Sequence, residues 1–230
     1  MTDSFPQVGR AERTETLSDQ TYRLVKTWML KSGVQPHTKV TERGLAEDLG
    51  VSRTPLREVL RVLEHERLLE RTAKGQLVVA SLSLEDIRQI HECRMRIETL
   101  AARQAATNGS DSDVERLRKS VAEAWVAYAE KRDDVLVTCN TDFHQAIYVA
   151  ARNPWLALVA TPLQNQMFRI RVQLTEAHHS PVWRDEHESI LNSISSKDAD
   201  SAEEAMQKHI ESDLALHLAA AEKSELFAPI

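Results

Sequence analysis

The chain has 230 residues, with 29 Lys and Arg against 35 Asp and Glu, and only 6 Gly and 7 Pro. Its length indicates two domains, and helical apolar periodicity with few helix breakers predicts a mostly α fold. The two distant cysteines, Cys93 and Cys139, argue against a thiol-based site. No apolar run approaches the roughly 18 residues of a membrane span, so we expect a cytoplasmic protein with no membrane partner.

The net charge of −6 is unevenly distributed along the chain. Residues 1–80 carry 13 basic and 11 acidic side chains, whereas residues 81–230 carry 16 basic and 24 acidic ones. A local basic patch on the first part permits nucleic-acid binding, while the acidic second part argues against wrapping of nucleic acid.

The first part of the chain contains three helix patterns. Residues 1–16 are polar and aperiodic, which predicts a flexible arm, and a helix pattern begins at Leu17. A short helix over residues 42–49 ends at Gly50, because Gly readily adopts the left-handed conformation that closes a helix. Ser52 then offers an N-cap for a third helix, whose apolar residues recur at three- and four-residue spacing.

The third helix presents basic residues at its solvent-facing start. Arg53, Thr54 and Arg57 lie there, after a short turn that contains Gly. Two helices joined in this way form a helix-turn-helix, and an Arg guanidinium can donate to the O6 and N7 atoms of guanine or to phosphate. The alternative interpretation is an ordinary amphipathic helix with solvated arginines. The agreement of turn, cap and basic residues favours DNA binding.

Two short apolar runs, residues 68–72 and 76–80, flank a turn that contains Lys74 and Gly75. This pattern predicts a β-hairpin, and a hairpin directly after a recognition helix is a wing. Its tip could approach the DNA backbone, since Gly permits close contact and Lys supplies charge. The alternative is a solvated turn that only closes the domain.

The DNA-binding domain is therefore expected over residues 17–80, and a helical domain over residues 84–223. Ser83 offers an N-cap to the second domain, and every later segment has a helical pattern. The predicted helices form an all-helical bundle and span residues 84–107, 112–131, 133–151, 154–176, 182–196 and 199–223.

Three histidines interrupt the apolar stripes of three different bundle helices. His144, His187 and His209 each stand where an aliphatic core residue is expected, and Asn140 precedes His144 by one turn. Burial of three imidazoles is unfavourable unless a partner organises them, and a divalent metal can do so. The alternative is three separate structural histidines, each with one hydrogen-bond partner.

Arg94 interrupts the apolar stripe of the first bundle helix, so its guanidinium should point inward and need an anion. A small carboxylate effector held by Arg94 and the metal would satisfy it. The alternative is an ion pair with Glu98, one turn further along the helix.

The chain resembles the GntR family of bacterial transcription regulators in the run GLAEDLGVSRTPLREVLRVLEHERLLER and the wing at Gly75. This resemblance implies a homodimer that binds a palindromic double-stranded DNA operator and responds to a small effector. It assigns DNA contacts to Arg43, Ser52, Arg53, Thr54, Arg57, Lys74, Gly75 and Gln76.

The second domain resembles the all-helical FCD effector domain of the FadR-like branch, through the segments NTDFHQAI, EHESIL and MQKHI. The resemblance implies a metal held by Asn140, His144, His187 and His209. Many relatives have Asp where this chain has Asn140. A neutral amide oxygen is a weaker ligand for hard ions, which favours Zn or Ni.

We therefore predict a metabolite-responsive transcription regulator, a repressor rather than an activator. A metal-dependent hydrolase with an incidental helix-turn-helix is the alternative. It requires a general base beside the metal, but Asp142 lies on another helix face than His144, and Asp213 could equally be an outer partner of His209. A DNA-binding architectural protein without an effector would not explain the histidines.

Overall fold

The computed structural model describes residues 16–31, 34–174 and 180–227. Most of the predicted arm and the predicted loop that contains His178 and His179 lie outside these residues. Within the described part, no helix is both long and apolar enough to cross a bilayer.

The first domain contains three helices and a two-stranded antiparallel sheet, in the predicted order. Gly50 closes the second helix with φ 63°, the left-handed conformation that its position requires. The third helix buries Leu56, Val59 and Leu63 against the first helix. The elements are α1 (Leu17–Lys31), α2 (Glu42–Leu49), α3 (Arg53–His65), β1 (Leu69–Arg71) and β2 (Leu77–Val79).

The hairpin has a neighbour that the periodicity did not reveal. Leu69 of β1 pairs with Val79 of β2, and Arg71 pairs with Leu77. Lys39 forms an isolated antiparallel bridge with Val78 on the other side of β2. Strand β2 is therefore paired on both edges, so the segment before α2 stabilises the wing.

The second domain is the predicted helical bundle, and its helices lie close to the expected spans. The Ser83 hydroxyl and the Asp86 carboxylate form a reciprocal capping box that starts α4. The seventh helix ends at Gln173, earlier than predicted. The helices are α4 (Leu84–Asn108), α5 (Asp111–Ala129), α6 (Asp133–Ala150), α7 (Pro154–Gln173), α8 (Val182–Ser195) and α9 (Ala199–Ala221), followed by a 3₁₀ turn at Glu225–Phe227.

Helix α7 contributes to the cores of both domains. Phe168 packs in the apolar cluster of the first domain, together with Val137 of α6. Met167 and Ile170 face the opposite way, into a cluster at the base of the bundle. Helix α7 therefore contacts the cores of both domains, so a movement of α7 would displace residues in both.

Candidate nucleic-acid interface and metal centre

The residues predicted to contact DNA at α3 lie together on one exposed surface. Ser52 occupies the N-cap position of α3, and its side chain makes no capping hydrogen bond. Arg53 and Thr54 follow it and are exposed, as is Arg43 on α2. A helix N-terminus with a free hydroxyl and adjacent guanidiniums provides the donors that phosphate and guanine accept.

Arg57 is also exposed, but it has a partner within the protein. Its Nη2 donates to Oε2 of Glu42 at 3.0 Å, which connects α3 to the start of α2. This pair is solvent-accessible and therefore contributes little stability. A DNA phosphate or base could therefore replace Glu42 as the partner of the Arg57 guanidinium, with only a small loss of free energy.

The wing tip is exposed on the same domain. Lys74, Gly75 and Gln76 are all accessible, and Gly75 adopts φ 74°. The Gly75 amide donates to the Thr72 carbonyl at 2.8 Å, which closes the turn. Glycine adopts this conformation readily because it has no Cβ. The absence of a side chain at Gly75 also keeps the tip narrow.

The three interior histidines meet at one point of the bundle. His144 of α6, His187 of α8 and His209 of α9 are buried, and their nearest ring nitrogens lie within 4.8 Å of one another. Nε2 of His144 is 3.4 Å from Nε2 of His209. Metal–nitrogen bonds of about 2.0–2.1 Å at the tetrahedral angle place two ligand nitrogens about 3.3–3.4 Å apart. The imidazole spacing therefore suits a metal ion.

Two carboxylates orient these imidazoles from outside. Nδ1 of His144 lies 2.6 Å from Oε2 of Glu98, which is within ion-pair distance. The angle between these groups does not meet the criterion for a hydrogen bond. Nδ1 of His209 lies 2.8 Å from Oε2 of Glu186. Carboxylates in this position turn the Nε2 atoms toward a shared centre. Glu186, rather than Asp213, is the outer partner of His209.

Several buried polar atoms at this centre lack a partner among the described residues. Both ring nitrogens of His187 and Oδ1 of Asn140 make no hydrogen bond. The His187 ring stacks on Phe143 with a centroid distance of 4.1 Å, which fixes its plane. Buried polar atoms are usually satisfied, so this donor set, three imidazoles and an amide oxygen, fits a bound divalent ion.

Burial favours the neutral form of His144 and His187, which is the form that binds metals. Burial lowers the pKa of His144 to about 4, although Glu98 acts in the opposite direction. Burial also holds the pKa of His187 well below its ordinary value, and the neighbouring His209 and His144 add to the shift. A neutral imidazole offers a lone pair, whereas an imidazolium does not.

Arg94 points inward, as its position predicted, and it is paired with carboxylates. Its Nε donates to Oε1 of Glu98 at 2.6 Å, and its Nη1 donates to Oδ2 of Asp213 at 2.9 Å. Burial opposes its charge, but these two carboxylates hold the pKa of Arg94 above its ordinary value. The ion pair with Glu98 is therefore present, and contact of Arg94 with an effector stays a prediction.

A second buried arginine, Arg171 of α7, was not identified from the sequence. Its Nη2 lies 3.7 Å from Oδ2 of Asp213, and its Nε has no hydrogen-bond partner. Nε2 of the nearby Gln164 also lacks one. Arg94, His144, Gln164 and Arg171 line a cavity of about 10 Å³ together with Glu98, Thr141 and Met167. A charged residue one turn after buried Met167 is the signal that could have revealed Arg171.

The opposite face of α7 is bonded to the first domain. Asn165 Nδ2 donates to Oε2 of Glu66 at 2.9 Å, and Gln166 Nε2 donates to the Glu66 carbonyl at 2.6 Å. Arg169 Nη2 donates to the Ala80 carbonyl at 2.5 Å. These residues hold the end of α3 and the end of the wing, so α7 lies between the cavity and the DNA-binding elements.

Comparisons with known proteins identify both domains. Residues 17–79 match the family described as bacterial regulatory proteins, gntR family, and residues 89–212 match the FCD domain. The chain is 24% identical over 196 residues to the uncharacterized HTH-type transcriptional regulator YdhC of Bacillus subtilis, covering 84% of this chain and 88% of that protein. It is 24% identical over 200 residues to the HTH-type transcriptional repressor RspR of Escherichia coli, covering 86% of this chain and 87% of the repressor.

A solved structure agrees with the fold. McbR/YncC of E. coli aligns with a TM-score of 0.77 and 22% identity, over 89% of this chain and 98% of that one. The relatives and both matched domains belong to regulators, which disfavours the hydrolase alternative. The chain therefore belongs to the gntR family of bacterial regulatory proteins, carries an FCD effector domain, and is a transcription regulator rather than an enzyme.

Proposed function

We propose that this regulator is a homodimeric repressor that binds a palindromic operator and is controlled by a small carboxylate bound at a metal site in the bundle. One observation carries the proposal. His144, one of the three convergent imidazoles, lines a cavity with Arg94 and with Arg171 of α7, and α7 is also bonded to the DNA-binding domain. A ligand at this centre can therefore act on the DNA-binding elements through direct contacts.

The metal is held by Asn140, His144, His187 and His209. Three imidazoles and one amide oxygen favour Zn or Ni over hard ions. When bound, the metal would supply a Lewis-acid centre, and an effector oxygen would either replace the weak amide ligand or add as a fifth ligand. Glu98 and Glu186 fix the ring orientation of His144 and His209, which preorganises the site.

The effector is a small organic acid, because the groups beside the metal are donors for oxygen anions. Arg94 is already paired, whereas Nε of Arg171 and Nε2 of Gln164 are unpaired and buried. A carboxylate satisfies such donors with charge-assisted hydrogen bonds. The present cavity of about 10 Å³ holds no more than about one water. Binding of an organic acid therefore requires the cavity to widen, and the movement proposed is that of α7, which carries Gln164, Met167 and Arg171 of its lining.

Movement of α7 reaches the DNA-binding domain through Asn165, Gln166 and Arg169. In a dimer the two recognition helices must lie about one helical turn of DNA apart, about 34–36 Å. A small rotation of each domain breaks this spacing and lowers operator affinity. The repressor named among the relatives supports repression, rather than activation, as the role of operator binding.

The exposed face of α7 supports a dimer. Trp155, Leu158 and Val159 are 73%, 63% and 52% exposed. Such an adjoining group of large apolar side chains on one helix favours burial against another surface. A second copy of the chain is the proposed occupant, because the same helix on both copies would make a symmetric contact.

The DNA contacts proposed are those of Arg43, Ser52, Arg53, Thr54, Arg57 and the wing tip at Lys74, Gly75 and Gln76. Arg53 and Thr54 stand at the start of α3, where residues of a recognition helix reach base edges. The cytoplasmic location also remains a prediction.

The test combines metal analysis, ligand screening and DNA binding on one set of proteins. Wild type, His187→Ala and the control His65→Ala, an exposed histidine outside the bundle, are analysed for metal and screened by thermal shift against carboxylic acids. The operator is obtained by selection from random duplex DNA. We expect wild type and His65→Ala to bind metal at the three-histidine centre and to release operator with a stabilising acid, and His187→Ala to lose that ion and the response to the acid. Equal acid responses in all three proteins would contradict the metal-dependent mechanism.

A further inference from the structure

A second group of buried metal-ligand types lies in the bundle, separate from the three histidines already described. His91 of α4 and Asp213 and His217 of α9 each offer one ligand atom, and these atoms lie within 4.8 Å of one another. All three side chains are buried. The sequence patterns did not single out this group, since His91 and His217 each looked like an isolated histidine.

The two imidazoles have the separation of a ligand pair. Nδ1 of His217 lies 3.3 Å from Nε2 of His91. Bonds of about 2.0–2.1 Å at the tetrahedral angle give about 3.3–3.4 Å between two ligand nitrogens. The same separation also allows a hydrogen bond between the two rings. A metal ion between them would replace that hydrogen bond with two metal–nitrogen bonds.

The ring of His91 is oriented by the backbone. Its Nδ1 lies 2.8 Å from the Ile87 carbonyl oxygen, one turn earlier in α4. A carbonyl oxygen only accepts, so Nδ1 carries the hydrogen and Nε2 presents its lone pair toward His217. Metal-bound histidines are commonly held by a backbone carbonyl in this way.

Asp213 connects this group to the first site. Its Oδ2 accepts from Arg94 at 2.9 Å, and Arg94 in turn donates to Glu98, which contacts His144. A carboxylate has two oxygens, so Asp213 can accept from Arg94 and bind a cation at once. His209 and His217 are eight residues apart on α9, about 12 Å along the axis, so two ions would occupy distinct positions.

We infer that His91, Asp213 and His217 form a second divalent transition-metal site, beyond the metal site of the proposed function. Two imidazoles and one carboxylate suit Zn²⁺, Ni²⁺ or Co²⁺. A metal ion at this site would connect the first part of α4 to the last part of α9. Helix α4 follows the wing directly. Its carboxylate ligand, Asp213, is already paired with Arg94 and Arg171, so this ion binds more weakly than the one held by the three other histidines.

The test counts metal ions in variants that remove one site each. Full-length wild type, His217→Phe, His187→Phe and the exposed-histidine control His65→Ala are equilibrated with Zn²⁺, desalted and analysed for metal per chain. A Co²⁺ titration followed by visible absorption gives the order of filling. We expect two ions in wild type and in His65→Ala, one in each of the other variants, and the weaker step to be absent in His217→Phe.

The two proposals fail separately in this experiment. One ion in wild type that His187→Phe removes and His217→Phe keeps would overturn the second site and leave the proposed function standing. One ion that only His217→Phe removes would do the reverse. If metal-free His217→Phe lacks the circular dichroism spectrum of wild type, anomalous diffraction from wild-type crystals with Zn²⁺ decides. A peak between His91, Asp213 and His217 supports the site, and its absence overturns it.

Discussion

The two domains use charged residues in opposite ways. The start of α3 and the wing present Arg53, Thr54 and Lys74 to solvent, with Arg57 in an exposed pair with Glu42. The bundle instead buries a group of charged side chains in its interior, and the Arg94 side chain is 1% exposed. An exposed basic residue is available to a partner and contributes little to folding. A buried ion is tied to its neighbours, so function and stability are coupled there.

The largest effect should come from breaking the buried network. Arg94→Ala leaves Glu98 and Asp213 buried without their main partner, which should lower the free energy of unfolding by roughly 3–5 kcal/mol. Urea unfolding followed by circular dichroism measures this change. The control Arg103→Ala removes a partly exposed arginine from the same helix, and it should cost much less, because solvent screens its ion pairs. Equal losses in the free energy of unfolding would contradict the proposed difference between buried and solvent-accessible charges.

Metal removal should give the next largest effect, again confined to the bundle. A bound ion stabilises the folded state by about 2.7 kcal/mol when its concentration is 100 times the dissociation constant. A chelator should therefore lower the melting temperature of wild type by more than that of His187→Ala, which can keep only an ion at the second group of ligands. His65→Ala should respond as wild type does. An equal chelator response in His187→Ala and in wild type would show that the three-histidine centre is not the source.

The exposed surface should give a loss of function without a loss of stability. Arg53→Ala removes a guanidinium that can read a base edge, and it should weaken operator binding by about 1–3 kcal/mol, roughly 5-fold to 160-fold. Fluorescence anisotropy on the selected operator measures the affinity, and thermal unfolding should be unchanged. Arg118→Ala, an exposed arginine of the bundle, is the matched control. Unchanged operator affinity in Arg53→Ala would mean that α3 is not the recognition helix.

The smallest expected effect concerns the contact between the two regions. Gln166→Ala removes the hydrogen bond from α7 to the Glu66 carbonyl. It should reduce the effect of the acid on operator affinity by about 0.5–2 kcal/mol, while the acid still binds. Titrations of acid with and without operator separate binding from coupling. Gln145→Ala, an exposed glutamine of the bundle, should retain full coupling, and an identical result for both variants would remove α7 from the mechanism.

Much of the fold could be predicted from local chemistry alone. Gly50 and Ser83 mark a helix end and a helix start because the left-handed conformation and the side-chain cap depend only on neighbouring residues. The apolar stripe of α3 likewise repeats with the helical period and packs inward. The bridge between Lys39 and Val78 could not be predicted in this way, since it joins segments that are far apart in the chain.

The sequence by itself determined which residues point into the bundle, because helical periodicity places Arg94, His144, His187 and His209 on apolar stripes. Only the tertiary structure decided which of them meet. In the structure, Glu186 contacts His209 and Arg94 pairs with Asp213. His91 lies against His217, which is 126 positions later in the chain. The physical reason is that periodicity specifies a face of one helix, whereas a site requires the axial register and rotation of several helices, which the packing of the whole core determines.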